Sequence, residues 1–528
     1  MKNLPIGLDT FEDFFKLNSI YVDKTAYIHK MLSSGVKTFF LSRPRRFGKS
    51  LLLSTIKAIF EGKRELFKGL YIENRIDWQP HPVIKLDMTK DAGSARSLRI
   101  ALASSIKSFA EEFGVQVDYH EESPSTMLER LIRLVSDRTG KQLVVLVDEY
   151  DKPILDVIEN TALAAEIRKV LQDFYVVLKS SSDKIRFLML TGVSKINQLS
   201  IFSGLNQLSD LTLNTEFAGI CGYTQPELEQ YFNGYIAPLA AVYGYTPEKT
   251  YEQIKHWYDG YSWDGKTFVY NPFSVLNLFD QKRFKGYWFA TGTPTFLLKL
   301  LSKIDDYSAV LADKIYVDYG FESQQTLENL KLVPLMFQTG YLTVKNDYIL
   351  ESKLELQIPN EEVRKALMES LVNDFIRHTE NDNLYRLAAN LKTAFEKGDT
   401  ALAVEYLKIL YSNAAYHQGI NNEGYYHNLF EVFCKFAGMD ILIESRTDIG
   451  RIDAVIRFPD RTYIIEIKHS VAADGLVETA SQALRQIRSN HYVQPYLRQG
   501  KPIHLLGLAF TKGNVGFSEE VVAGDGKA

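Results

Sequence analysis

Thr38-Phe39-Phe40-Leu41-Ser42-Arg43-Pro44-Arg45-Arg46-Phe47-Gly48-Lys49-Ser50 is the stretch on which the fold turns. A short apolar run ends in a basic loop, and Leu51–Phe60 follows with helical patterning. Strand, loop and helix in that order are the context in which Gly-Lys-Ser binds phosphate. Gly48 has no side chain, so the backbone there can curl around phosphate oxygens. Lys49 can reach the β- and γ-phosphates, and Ser50 can offer its hydroxyl to Mg²⁺. The start of the next helix adds free N–H groups and a favourable dipole. The loop also departs from the usual pattern. Arg43 stands where a first glycine is expected, and Pro44 donates no N–H.

A second run completes the chemistry. Leu143–Val147 is apolar at every position, as a strand buried on both faces requires, and it ends in Asp148-Glu149. An acid delivered there can hold Mg²⁺ through water, and Glu149 can polarise an attacking water. Ile185–Leu190 ends in Thr191-Gly192-Val193-Ser194-Lys195, so Thr191 or Ser194 can sense the γ-phosphate. With Val83–Met88, these runs alternate with segments long enough for helices, such as Ala162–Leu178. That spacing predicts a parallel sheet covered by helices.

After about Phe217 the pattern changes. Thr224–Tyr235 opens as a helix start, with Pro and an acid in its first turn. Ile254–Asp280 is rich in Tyr, Trp, Gly and Asn, and the Trp257–Tyr261 run reads as packing. Phe296–Asp313 and Gln325–Leu332 have helical patterning. Thr339–Leu350 reads as a hairpin turning at Lys345-Asn346-Asp347. Pro359-Asn360-Glu361-Glu362 begins another helix, and Glu361–Leu410 is helical with a break at Lys397-Gly398-Asp399. Helix plus hairpin predicts a winged-helix-like part. From about Gly419 an amphipathic helix, Tyr425–Gly438, precedes strands at Ile441–Ser445, Ile452–Phe458 and Thr462–Ile467, a helix at Ala480–Ile487 and a last strand at His504–Phe510. The expected fold class is α/β multidomain, with units over residues 1–215, 216–410 and 411–528.

The last unit carries a second constellation. Glu466-Ile467-Lys468 ends a strand, and Asp453 lies on the strand before it. Residues two apart on a strand share a face, so Glu466 and Lys468 point one way while Ile465 and Ile467 enter the core. A hairpin brings Asp453 toward them. Carboxylates so placed, Asp453 and Glu466, can hold Mg²⁺ against a phosphodiester, and Lys468 can position water or steady developing charge. Arg446, Arg451, Arg457, Arg461, Arg485 and Arg488 lie near in sequence and can neutralise phosphates.

Tyr21-Val22-Asp23-Lys24-Thr25, Arg43–Ser50, Asp148–Pro153 and Thr191–Ile196 resemble the AAA-ATPase-like family of bacterial proteins. So do Trp257–Tyr261, Tyr270–Phe273, Tyr287–Leu298 and Gln338–Leu342. Members are P-loop ATPases whose arginine-rich loop lacks the first glycine. The resemblance spans roughly the first 360 residues. It implies ATP and Mg²⁺ as cofactors. Arg45, Arg46, Phe47, Gly48, Lys49, Ser50, Leu51, Asp148 and Thr191 would meet the nucleotide, with Ser50 and Asp148 on the metal. Tyr21–Thr25 has no role legible in its residues. Family position puts it beside the nucleotide, and a structural turn is the alternative. Gly419–Phe510 resembles the PD-(D/E)xK nuclease superfamily, in the version with an acid and His on the preceding helix, here Glu423 and His427, and with Gln486 and Tyr492 after the Glu-x-Lys strand.

Composition bounds the rest. At roughly 150 residues per domain, 528 residues suggest about three or four domains. The charge is 61 Lys+Arg against 65 Asp+Glu, or −4, which excludes a uniformly basic coat protein but not a basic groove. Two cysteines cannot build a disulfide framework, so a reducing, cytoplasmic home is expected. No apolar run approaches a membrane span, and Met1–Ser19 lacks a signal-peptide core. The expected activity is ATP hydrolysis coupled to a nuclease-like module, with Glu149, Asp453, Glu466 and Lys468 catalytic. Expected partners are ATP and nucleic acid, DNA before RNA, with room for a protein partner or an oligomer and no membrane. The alternative is a nucleotide-state switch whose C-terminal fold binds without cutting.

Overall fold

The computed structural model describes residues 2–89, 93–117, 123–195, 208–288, 297, 312, 314–323, 330–375, 381–414, 423–446, 451–511 and 513–524. Most of Phe296–Asp313 and of Gln325–Leu332, together with Ile196 and Gly450, lies outside them. The chain forms two compact units. One comprises Met1–Leu297 with Asp313–Arg364, the other Leu298–Ala312 with Lys365–Ala528.

In the first unit, β1 (Thr38–Ser42), β2 (Val83–Asp87), β3 (Leu143–Asp148), β4 (Ile185–Gly192) and β5 (Ser209–Asp210) form a parallel sheet in the order β2-β3-β4-β1-β5. Every residue of β3 is buried. Full burial of each of its aliphatic side chains contributes roughly 1.5–3 kcal/mol, so this run anchors the sheet. Crossover helices Lys49–Phe60, Ala95–Glu112, Pro124–Thr139 and Thr161–Ser180 have clear local causes. Ser94 and Ser97 make a reciprocal capping box. Ser123 caps a helix with Pro at its start, and Gly140, left-handed, ends it. The strand order sets β4 between β1 and β3, so three strand ends converge at one edge.

Beyond the sheet, helices Gln225–Tyr243, Pro247–Tyr258 and Pro272–Gln281 pack through an aromatic core that includes Phe232, Tyr258, Tyr270 and Phe279. A three-stranded antiparallel sheet follows, β6 (Ile315–Asp318), β7 (Thr343–Tyr348) and β8 (Lys353–Gln357), in the order β6-β8-β7. The hairpin is real, but its turn is not at Lys345-Asn346-Asp347. Those residues belong to β7, where a register shift between Val344 and Asn346 accommodates Lys345. The chain reverses at Ile349–Glu351, with Ser352 left-handed at φ 53°. Polar residues in a bulged strand imitate a turn.

In the second unit, helices Asn381–Lys397 and Thr400–Ala414 flank the expected break at Gly398, and helix Glu423–Phe436 leads into a sheet. The strands are β9 (Asp440–Arg446), β10 (Arg451–Arg457), β11 (Thr462–His469), β12 (Ile503–Thr511) and β13 (Asn514–Val522), ordered β13-β12-β11-β10-β9. Only β11 and β12 run parallel, joined through helix Leu476–Ser489, which packs on β11, β12 and β13. Gly507 on β12 permits that approach, since a Cβ there would lie 2.2 Å from the Ala480 carbonyl. Strand β13 was not expected. It is half exposed and mixes Gly, Ser and Glu with its apolar residues, so no clean alternation marks it.

Candidate active sites

The phosphate loop is braced from behind. Arg43 is fully buried, and its guanidinium donates to the carbonyls of Ser42 and Thr212 at 2.9 Å and of Phe217 at 3.3 Å. It lies 3.8 Å over the Trp263 ring. Burial pulls its pKa down to about 10, which leaves it charged at neutral pH. The residue in the first-glycine position is thus a structural staple. Phe47 is likewise buried, edge-on to Tyr261 at 4.8 Å and to Trp263 at 5.7 Å.

Lys49 sits at the helix start and donates to the carbonyls of Arg43 at 2.9 Å and Pro44 at 3.0 Å, spanning the loop. Burial pulls its pKa down, against the attraction of Glu149 and Asp148. Gly48 has φ 92° and Arg46 φ 68°. For Arg46 this left-handed geometry costs on the order of 1–3 kcal/mol, a strain that clusters at ligand-holding turns. Arg46 is exposed, 5.0 Å from the Phe273 ring, while Arg45, Ser50 and Leu51 are half-buried.

The acids lie across the strand ends. Asp148 Oδ1 accepts from the Thr191 hydroxyl at 2.8 Å, and Lys85 Nζ lies 3.9 Å from Oδ2. Ser194 instead serves Asp151, donating from its N–H at 2.6 Å and its hydroxyl at 2.8 Å. Thr191 is therefore the hydroxyl on the strand-end acid. Glu149 has φ 51°. Burial raises its carboxyl pKa, and Lys49 opposes the shift. Loop N–H groups, cations and a strand-end acid suit a magnesium-bound nucleotide. A Cβ on Gly48 would meet nothing within 4 Å, so space lies open at that turn.

A pocket opens beside Gly48, lined by Tyr21, Val22, Leu51, Thr55, Cys221 and Pro272 among others. It gives Tyr21, Val22 and Lys24 a position, on the pocket wall. Asp23 fixes the segment by accepting from Thr25 N–H at 2.8 Å, the Thr25 hydroxyl at 2.7 Å and Tyr71 N–H at 2.7 Å. Lys24 pairs with Glu227 at 2.7 Å and donates to the Gly219 carbonyl at 2.8 Å. Tyr71, Gly219 and Glu227 lie far off in sequence, so no local pattern could reveal those contacts.

The second unit assembles its own cluster. Ala454 pairs with Ile465, so the next position sets Asp453 opposite Glu466. Asp453 Oδ2 accepts from Ile467 N–H at 2.8 Å. Lys468 Nζ lies 3.4 Å from Glu466 Oε1 and 3.5 Å from Glu423 Oε1. Gln486 donates to Glu466 Oε1, and His427 Nε2 is 3.1 Å from the Asp453 carbonyl. Tyr492 is buried in the core. Burial and the neighbouring Asp453 raise the Glu466 pKa to about 7, against Lys468. Burial also raises that of Asp453.

Among the described residues no group of three His, Cys, Asp or Glu side chains could hold a metal. Two carboxylates nevertheless suit Mg²⁺, which keeps several waters. Glu466 Oε2 is buried without a hydrogen-bond partner, a cost that a cation would remove. The surrounding arginines are not a free basic field. Arg457 pairs with Asp440 at 2.9 Å, Arg461 with Asp460 at 2.8 Å, Arg485 with Glu478 at 2.7 Å, and Arg488 with Glu520. Arg446 and Arg451 side chains lie outside the described residues.

A parallel sheet with Gly-Lys-Ser at one strand end and Asp148 at another defines a P-loop protein. The mixed sheet carrying Asp453 and Glu466-Ile467-Lys468 defines a nuclease-superfamily fold. The chain belongs to the AAA-ATPase-like family. Residues 5–202 match the family described as "Predicted AAA-ATPase", and residues 421–520 match the PD-(D/E)XK nuclease superfamily. A protein of Azotobacter chroococcum mcd 1, described as "Uncharacterized protein in vnfD 5'region", is 34% identical over 539 aligned residues, covering 98% of this chain and 99% of the relative. No solved structure matches. Among the described residues no helix is long and apolar enough to cross a membrane.

Proposed function

We propose that the first unit binds and hydrolyses ATP and that this turnover controls a magnesium-dependent nuclease site in the second. The observation that carries the reading is the convergence of Lys49, Thr191 and Asp148 at adjacent strand ends. Lys49 and the loop N–H groups between Arg45 and Leu51 hold the phosphates. The largely apolar pocket beside Gly48 takes the base. Ser50 and Asp148 hold the metal, Thr191 orients Asp148, and Glu149 accepts a proton from the attacking water. Its raised pKa brings it nearer working pH, where a general base is most effective.

In the second unit Asp453 and Glu466 hold Mg²⁺, which when bound supplies an acidified water and neutralises phosphodiester charge. Lys468 places that water or steadies the charge that develops. Gln486 keeps the Glu466 carboxylate in position, and His427 bears on the main chain at Asp453. The substrate is nucleic acid, DNA before RNA, and the setting is the cytoplasm of a bacterium. The paired arginines favour a second reading, in which this fold binds without cutting. Steady-state phosphate release from ATP, with and without duplex DNA, tests the coupling. Turnover stimulated by DNA supports it, and turnover indifferent to every nucleic acid supports the switch.

A further inference from the structure

Trp288 is fully buried at the back of the phosphate loop. Its indole N–H donates to the Arg45 carbonyl at 3.2 Å. Its ring is edge-on to Tyr341 at 5.4 Å. Gly340, at φ 92°, lets the chain close on Pro44. A Cβ there would stand 2.9 Å from Pro44 Cβ and Cγ and 3.4 Å from Trp288 Cζ2. Trp288 is itself held, because the N–H groups of Tyr287 and Trp288 both donate to Glu362 Oε1, at 2.5 and 2.8 Å. The Ser274 hydroxyl donates to Glu362 Oε2 at 2.7 Å. Glu362 is fully buried, in the first turn of helix Glu361–Phe375.

The planarity of the peptide bond gives this contact a consequence. In a trans peptide the C=O and the next N–H point in opposite directions. A donor that holds the Arg45 carbonyl from behind therefore aims the Arg46 N–H forward. Arg46 is the left-handed non-glycine residue of the loop, and successive N–H groups in such a turn form an anion-binding concavity.

We propose that Trp288 is a positioning residue for the phosphate loop, aiming the Arg46 N–H at the nucleotide's terminal phosphates while Glu362 holds Trp288 in place. The inference rests on the ATP reading. It explains why an aromatic, glycine-bearing segment so far along the chain packs on the loop. It also separates phosphate recognition, which needs Trp288, from base recognition in the pocket beside Gly48, which does not.

The test is competition titration of the full chain with ATP and with AMP, which lacks the β- and γ-phosphates. Trp288→Phe keeps a ring and removes the donor. It should weaken ATP roughly tenfold, as loss of one hydrogen bond to the loop implies, and leave AMP within twofold. Glu362→Ala should reproduce that loss, and Glu362→Gln, which retains an acceptor, should restore it. The Glu362 pair carries the test if Trp288→Phe does not fold. Equal weakening of ATP and AMP would assign Trp288 a merely structural role and overturn the proposal. Unchanged ATP affinity in folded Trp288→Phe would also overturn it, with the ATP reading intact. Failure of the parent chain to bind ATP at all would remove that reading and the inference together.

Discussion

The Thr191 hydroxyl donates a 2.8 Å hydrogen bond to Asp148 Oδ1 across the ends of two neighbouring parallel strands. Register makes the contact. Val147 pairs with Leu190, so the next residues, Asp148 and Thr191, stand side by side on one face. Thr191→Val keeps the shape and removes the donor. It should slow ATP turnover roughly tenfold, the worth of a hydrogen bond to a charged group at the low end. A parent-like rate in a phosphate-release assay would exclude Thr191 from the site.

Lys49→Ala should weaken ATP binding by on the order of 10- to 100-fold, because a charge-assisted hydrogen bond is worth about 1.5–3 kcal/mol. Arg45 and Arg46 stand near enough in the loop to compensate in part. Titration with a fluorescent ATP analogue reads the effect. Unchanged affinity would remove the loop from the site.

Glu149→Gln should still bind ATP but hydrolyse it roughly 100- to 10,000-fold more slowly, the usual contribution of a general base. Asp148 survives in this variant, so metal binding should too. A single-turnover experiment separates the two steps, and parent-rate hydrolysis would reduce Glu149 to a turn residue.

Arg43→Gly would give the loop the glycine that the common pattern has, and it should still be harmful. Three carbonyls would lose their buried donor and Trp263 its cation. Urea unfolding should show a loss of roughly 2–5 kcal/mol, the range for breaking a buried charged network. An equally stable variant would contradict the staple role.

Much of this was legible in the sequence because it is local. Gly48-Lys49-Ser50 announces itself by type and spacing, and the uninterrupted apolar run Leu143–Val147 identifies a central strand. Glu466 and Lys468 share a strand face by simple alternation. Long-range geometry was not legible. Nothing near Arg43 in sequence says that its charge is spent on Thr212 and Phe217. Nothing near Glu362 says that it holds Tyr287 and Trp288. The choice between Thr191 and Ser194 depended on which acid each one met. The turn expected at Lys345–Asp347 failed because a bulged polar strand carries turn-like residues.

The Glu466 carboxyl gives the second unit a pH signature. Its folded pKa of about 7 lies above the ordinary value of 4.5. Folding therefore favours the protonated form. The stability this contributes is full at pH below about 4.5 and is lost as pH rises to about 7. The metal-free chain should lose stability across that window, and Glu466→Gln should flatten the loss. Mg²⁺ needs the ionised carboxylate, so its affinity should fall as pH drops below 7. Calorimetric titration with Mg²⁺ at pH 6 and pH 8 checks the sign.

The most direct test of the account is magnesium-dependent cleavage of duplex and single-stranded DNA, and of RNA, by the full chain with ATP. Parent protein, Glu149→Gln, Asp453→Ala, Glu466→Ala and Lys468→Ala are compared. The account predicts that the parent cleaves. Asp453→Ala and Glu466→Ala should lose cleavage while staying folded. Lys468→Ala should bind metal but cut slowly, and Glu149→Gln should lose ATP control of cutting. Normal ATP turnover by a chain that cleaves none of these substrates would contradict it and leave the second unit a binding module.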